Sequence, residues 1–205
     1  MKVALIDYGA GNLTSVRKAL TFLRVDVQTP KVPADLDDAM ATIVPGVGHF
    51  QATTTLDREW RDAILKGVDA GRALLGICLG MQWLFDGSAE APDLKGLGLM
   101  MGTCALLGNG AARSTLKVPH VGWNSLHLHR RSWLLDGVDE GAQVYFTHSF
   151  APPITRDCAA VTEHGATFAS VVERDQICGV QFHPEKSGDV GLTILRNFLS
   201  RAARP

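Results

Sequence analysis

The chain has 205 residues, 46% of them hydrophobic and 20% charged, with a formal net charge of −1. That length predicts one domain over 1–205, and a near-neutral surface without polybasic runs excludes nucleic acid or an anionic membrane as the main partner. The apolar start meets Asp7 too soon for a signal peptide and no stretch could span a bilayer, so the expected location is the cytoplasm. Cys78, Cys104, Cys158 and Cys178 stand far apart without a C-x-x-C pair, so neither a metal site nor a disulfide framework is expected.

Residues 2–7 read as a first strand, and the turn 8–12 ends in Asn12, a residue suited to cap a helix. Leu13, Val16, Ala19, Leu20 and Leu23 then recur at helical spacing. A short strand over 25–28, a helical turn over 33–40 and a strand over 41–44 follow, so a parallel alternation forms. Pro45-Gly46-Val47-Gly48 is a glycine-rich loop at the carboxyl end of that strand, where open parallel sheets place ligands. It lacks G-x-G-x-x-G and the phosphate-loop lysine, which excludes a nucleotide reading. Two readings stay open for it: a tight strand-to-helix turn, or a loop whose N–H groups help to hold an oxyanion.

Leu56, Trp60, Ala63, Ile64 and Val68 give the next helix an apolar stripe, and Gly71 ends it. The apolar strand 73–77 runs into Gly76-Ile77-Cys78-Leu79-Gly80 and then into helix-compatible residues. Such a strand-turn-helix elbow seats a nucleophile between small residues, and the helix N-terminus favours thiolate over thiol. The alternative is an inert core cysteine.

Residues 87–98 read as an irregular loop, 99–107 as an apolar strand and Gly108-Asn109-Gly110 as a turn. Beyond them come shorter runs at 117–123, 126–129, 143–150, 159–163, 167–172 and 177–182, a β-rich half with hairpins. His127 and His129 alternate with leucines but have no third ligand nearby, so a solvent-facing edge is expected. The strand 177–182 ends in His183-Pro184-Glu185. Pro184 pushes His183 toward extended geometry, where residues i and i+2 point to the same side and Glu185 can orient the His183 ring. Cysteine, base and orienting carboxylate form a triad by role. Leu192, Leu195, Phe198 and Leu199 make the closing helix amphipathic. The expected class is α/β: a mixed, largely parallel central sheet with flanking helices and a β-rich second half.

The 45–48 loop, Gly76-Ile77-Cys78-Leu79-Gly80-Met81-Gln82 and Gln181-Phe182-His183-Pro184-Glu185 resemble, in the same order, motifs of the class I (triad) glutamine amidotransferases. The resemblance implies that family's flavodoxin-like fold and hydrolysis of the glutamine side-chain amide without a cofactor. It implies catalysis by Cys78, His183 and Glu185, and an oxyanion held by N–H groups of Val47, Gly48 and Leu79. Gln82, one helical turn after Cys78, and Thr147, His148 and Ser149, at the end of a strand, are with Gly46 the expected glutamine contacts, the alternative for Gln82 being a cap on local backbone. The stretches 7–12, 118–124, 145–150 and 184–188 are similar to the glutaminase subunits of imidazole glycerol phosphate synthases. That implies a heterodimer with a separate (β/α)₈-barrel cyclase, which takes the ammonia, with Asn12, Trp123 and Lys186 at the interface. Thr147 departs mildly from the pattern, which more often has an apolar residue there. Glutaminases serving pyridoxal phosphate or anthranilate synthesis, or a non-catalytic binding subunit on the same fold, are the alternatives.

Overall fold

A computed structural model describes residues 1–108 and 117–203. In chain order it forms β1 (Lys2–Leu5), α1 (Leu13–Phe22), β2 (Asp26–Gln28), β3 (Ala41–Val44), α2 (Arg58–Asp69), β4 (Ala73–Ile77), α3 (Leu79–Trp83), β5 (Gly87–Ser88) and β6 (Thr103–Leu106). The second half contributes β7 (His120–Ser125), β8 (His127–Leu128), β9 (Gln143–His148), β10 (Phe150–Ala151), β11 (Cys158–Glu163), β12 (Thr167–Arg174), β13 (Ile177–Val180) and α4 (Gly188–Ala202). The eight-stranded sheet has the order β2-β1-β3-β4-β13-β12-β11-β8. Its pairs are parallel from β2 to β13 and antiparallel from β13 to β8.

Packing on both faces explains why the inner parallel strands β4 and β13 are apolar throughout. Val3, Leu5, Ile43 and Leu75 face one core with Val16 and Leu20 of α1 and Ile194, Leu195 and Phe198 of α4. Ala4, Ile6, Val44 and Leu74 face the other, with Ile64 of α2 and Met81 and Trp83 of α3. Successive side chains point to opposite faces, and helices cover both, so the central strands β4 and β13 are buried at every position, whereas the edge strand β2 leaves Asp26 and Gln28 exposed. Asn12 caps α1 by accepting from the Ser15 N–H at 3.3 Å, and Gly71, at φ 83°, follows α2.

Three expectations need correction. The run 99–107 is a strand only over Thr103–Leu106, because the N–H groups of Leu99 and Met100 both turn back to the Leu84 carbonyl at 2.9 Å. The loop 87–98 contains β5, which pairs with β6 to form a small separate sheet with β10. The run 143–150 breaks at Ser149 into β9 and β10. Of the turn at 108–110, Asn109 and Gly110 lie outside the described residues. His127 is exposed on the edge strand β8 and pairs with Glu140 at 2.8 Å.

Candidate active site

Cys78 lies between β4 and α3 at φ 53° and ψ −108°, a backbone region that side chains rarely adopt. Such strain costs on the order of 1–3 kcal/mol and persists only where surrounding contacts enforce it. Here the Cys78 N–H donates to the Val180 carbonyl at 2.8 Å, and close packing enforces the bend. A Cβ on Gly80 would lie 1.8 Å from the Val44 carbonyl oxygen, so only glycine lets α3 approach β3 this closely. The helix after the elbow is one of five residues.

Parallel pairing of β4 with β13 sets Gly76 opposite Gly179 and Ile77 opposite Val180. The chain leaving β13 therefore arrives beside the elbow and delivers His183. Its Nδ1 lies 2.8 Å from Glu185 Oε1, and both side chains are buried. The contact arises differently from the expectation: Pro184–Lys186 is a 3₁₀ turn, which folds Glu185 back under the ring. The His183 backbone is pinned twice, its N–H to the Tyr145 carbonyl at 2.9 Å and its carbonyl to the Ser187 hydroxyl at 2.6 Å.

Burial disfavours the charged imidazole of His183, but Cys78 and Glu185 outweigh it and push its pKa up to about 9. Nε2 makes no hydrogen bond among the described residues, and Cys78 and then Glu185, on Nδ1, favour the charged ring. A raised folded-state value stabilises the fold fully below the ordinary 6.5, and the gain is lost as pH rises through about 9. Glu185→Gln is therefore expected to cost roughly 1–3 kcal/mol at pH 6 and far less at pH 10. Urea midpoints at the two pH values check this.

A cavity of about 240 Å³ opens above the sulfur, lined by Gly48, Cys78, Leu79, Gln82, Glu90, Pro119 and residues 147–150. Gln82, Thr147, His148, Ser149, Gly48 and Leu79 thus share one space. Gly46 lies behind it, where a Cβ would meet the buried Tyr8 hydroxyl at 2.1 Å. The Leu79 N–H is engaged by the Gly46 carbonyl at 3.3 Å, so the loop 45–48 offers an acceptor where a donor pair was expected. His148 donates from Nδ1 to the Phe150 carbonyl at 2.9 Å, which leaves Nε2 to accept from His120 Nδ1 at 3.1 Å. Burial pushes His148 down to about 3 and His120 down to about 4, so both are neutral props tying β7 to β9.

Trp123, 57% exposed, meets Tyr145 edge-on at 6.0 Å, and Lys186 Nζ lies 5.6 Å from the same Tyr145 ring. These three form one surface patch directly outside the His183 segment, whereas Asn12 acts as a helix cap. Sequence reasoning missed Glu90, Tyr8, Tyr145 and the His120–His148 pair. Glu90 carried no readable signal, since it lies in an irregular stretch and is positioned by accepting from the Phe50 N–H at 2.7 Å. No group of three or more His, Cys, Asp or Glu side chains suited to a metal occurs among the described residues.

The family model for class-I glutamine amidotransferases matches residues 4–202. An imidazole glycerol phosphate synthase subunit HisH of Gloeobacter violaceus is 44% identical over 98% of this chain and 90% of its own length. The chloroplastic imidazole glycerol phosphate synthase hisHF of Arabidopsis thaliana is 42% identical over 96% of the chain, which spans 34% of that longer protein. Among solved structures, a crystal structure of a glutamine amidotransferase superposes with a TM-score of 0.76 at 20% identity, covering 98% of this chain and 99% of that one. The chain belongs to the class-I glutamine amidotransferases and, within them, to the imidazole glycerol phosphate synthase subunits.

Proposed function

We propose that this chain hydrolyses the side-chain amide of glutamine and passes the ammonia to a separate (β/α)₈-barrel cyclase that forms imidazole glycerol phosphate and aminoimidazole carboxamide ribonucleotide. The observation that carries the reading is Cys78, on its strained elbow, opening into a cavity of about 240 Å³ with a His183–Glu185 pair delivered beside it by β13. The Cys78 thiolate attacks the amide carbonyl and forms a C–S bond. His183 gives its proton to the departing ammonia as the C–N bond breaks. Water, deprotonated by His183, then adds to the thioester carbonyl, and the C–S bond breaks to give glutamate and to restore the thiolate and the protonated His183.

Free glutamine brings an ammonium group as well as a carboxylate, and Glu90 is the carboxylate that lines this cavity. Gln82 uses its Nε2 on the Phe150 carbonyl at 2.8 Å and on Gln181 Oε1 at 3.1 Å, which leaves its own Oε1 as an acceptor for the same ammonium. The end of β9, residues 147–149, supplies backbone for the carboxylate end. Glu90→Gln is expected to raise the glutamine KM about 10- to 100-fold, the effect of a lost charge-assisted hydrogen bond, with ammonium-dependent synthesis unchanged. Gln82→Ala shifts KM in the same direction. Unchanged glutamine kinetics in both would remove them from the site.

The cavity is below the roughly 300–1,000 Å³ typical of sites for larger ligands, so a phosphoribosyl acceptor needs a second protein. The hisHF relative, about two thirds of which lies beyond the match, supports that view. The Trp123–Tyr145–Lys186 patch is the proposed docking face, and Trp123→Ala is expected to weaken the cyclase complex at least about 30-fold, as for an aromatic hot spot. Calorimetric titration against the cyclase checks it. No described helix is long and apolar enough to cross a membrane, and we place the chain in the cytoplasm. Glutaminase turnover with and without the cyclase tests the whole reading: no glutamate released in either state would overturn it.

A further inference from the structure

The Phe150 carbonyl can only accept a hydrogen bond, so the Gln82 atom 2.8 Å from it is the amide nitrogen. That nitrogen also reaches Gln181, at 3.1 Å, and must meet the Gln181 oxygen there. The other arm of the Gln181 amide is then its NH₂, and it lies 3.5 Å from Cys78 Sγ. Gln181 is fully buried, and its backbone N–H is fixed to the Ser170 carbonyl at 2.9 Å. One carbonyl on β10 thus dictates, through two amides, that the nucleophile faces a donor, while the thiol itself donates to the Thr147 carbonyl at 3.9 Å.

We propose that Gln181 is a catalytic residue whose amide donates to Cys78 Sγ and holds that sulfur as a thiolate facing the cavity. This rests on Cys78 being the nucleophile and adds a donor to the short five-residue helix behind it. A thiolate accepts more strongly than a thiol, so a fixed donor favours the ionised sulfur. The same amide joins Gln82, in the cavity wall, to the reacting atom, so occupation of the cavity and orientation of the sulfur are coupled. The other titratable groups around the sulfur are His183 with Glu185, Tyr8 behind the elbow, and His148 and Glu90 in the cavity wall.

The test is alkylation of the full chain by iodoacetamide between pH 5 and pH 10, with Cys78 modification followed by mass spectrometry. In that reaction the thiolate forms an S–C bond as iodide leaves. Gln181→Met keeps the length and removes the donor. Its half-maximal pH is expected to rise by about one to two units, with a 10- to 100-fold slower rate at pH 7 and convergence with wild type at high pH. Gln181→Glu keeps the outline but turns a carboxylate toward the sulfur, and it should fall at least as far. Overlapping profiles, or a loss that is equal at every pH, would overturn the proposal. Should neither variant fold, the wild-type Gln181 side-chain amide is followed by ¹⁵N NMR. Its signal must titrate with the same midpoint as Cys78 alkylation, and a pH-independent signal would overturn the proposal. Glutaminase activity surviving in Cys78→Ala would instead remove the nucleophile itself, a failure separable from that of Gln181.

Discussion

Cys78→Ala is expected to lower glutamine-dependent synthesis by at least about 10⁴-fold while ammonium-dependent synthesis by the complex stays at the wild-type rate. Removing a nucleophile from a triad forfeits the covalent route, and what remains is the small acceleration from binding and polarisation alone. The substitution removes one sulfur from a buried elbow whose bend is fixed by packing at Gly80 and by the Cys78 N–H bond to Val180, neither of which involves the side chain. The fold and the proposed docking face should therefore survive, and the proposed cyclase partner would receive ammonia from solution instead. Both rates are read from product formation with either nitrogen source. Retention of glutamine-dependent synthesis would mean that another group attacks the amide.

Glutaminase turnover is expected to rise about 100- to 1,000-fold when the cyclase, loaded with its acceptor, docks onto the free chain. The physical reason lies in one peptide plane. The Gly46 carbonyl occupies the Leu79 N–H at 3.3 Å, so an oxyanion at that position meets an acceptor. The Gly46 carbonyl and the Val47 N–H belong to the same peptide, and a half-turn of that plane exchanges one for the other. It would free Leu79 and present Val47 together. The half-turn changes ψ of Gly46 and φ of Val47, and Gly46, where a Cβ would meet the Tyr8 hydroxyl at 2.1 Å, supplies its share of that freedom by having none. Docking can drive it only by favouring the turned state, and the Trp123–Tyr145–Lys186 patch is joined to the site through the Tyr145 carbonyl that holds the His183 N–H. Turnover of the free chain, the complex and the acceptor-loaded complex decides the matter, repeated in Trp123→Ala and Lys186→Ala. Equal turnover in all three wild-type states would exclude the switch.

The strands that build the site were legible because each is an uninterrupted apolar run closed by a breaker: 41–44 by Pro45 and 73–77 by the Cys78 elbow coincide with β3 and β4. Cys78, His183 and Glu185 were singled out by the local chemistry of two short motifs, and the structure sets His183 2.8 Å from Glu185 at the end of the strand that pairs with β4. The failures have a common cause in contacts between distant residues. The run 99–107 is apolar enough for a strand, but Leu99 and Met100 are bonded to Leu84, which no local pattern reveals. Gln181 stood inside a motif quoted for its neighbours, and its partners Gln82 and Cys78 lie about a hundred residues earlier. The triad pair 183 and 185 was anticipated for an extended chain and is formed by a 3₁₀ turn. Their spacing was informative, but the backbone path was not.

Strand β13 follows every other strand of the described sheet in the sequence, yet it occupies a central slot, between β4 and β12. Until it emerges from the ribosome, β4 and β12 each present an unpaired edge, the kind of surface that invites aggregation. The same delay keeps Cys78 and His183 apart in nascent chains. Cys78 is translated more than a hundred residues before His183, and the two meet only when β13 closes the gap. A chain released early therefore carries a thiol with no base beside it, and wastes no glutamine.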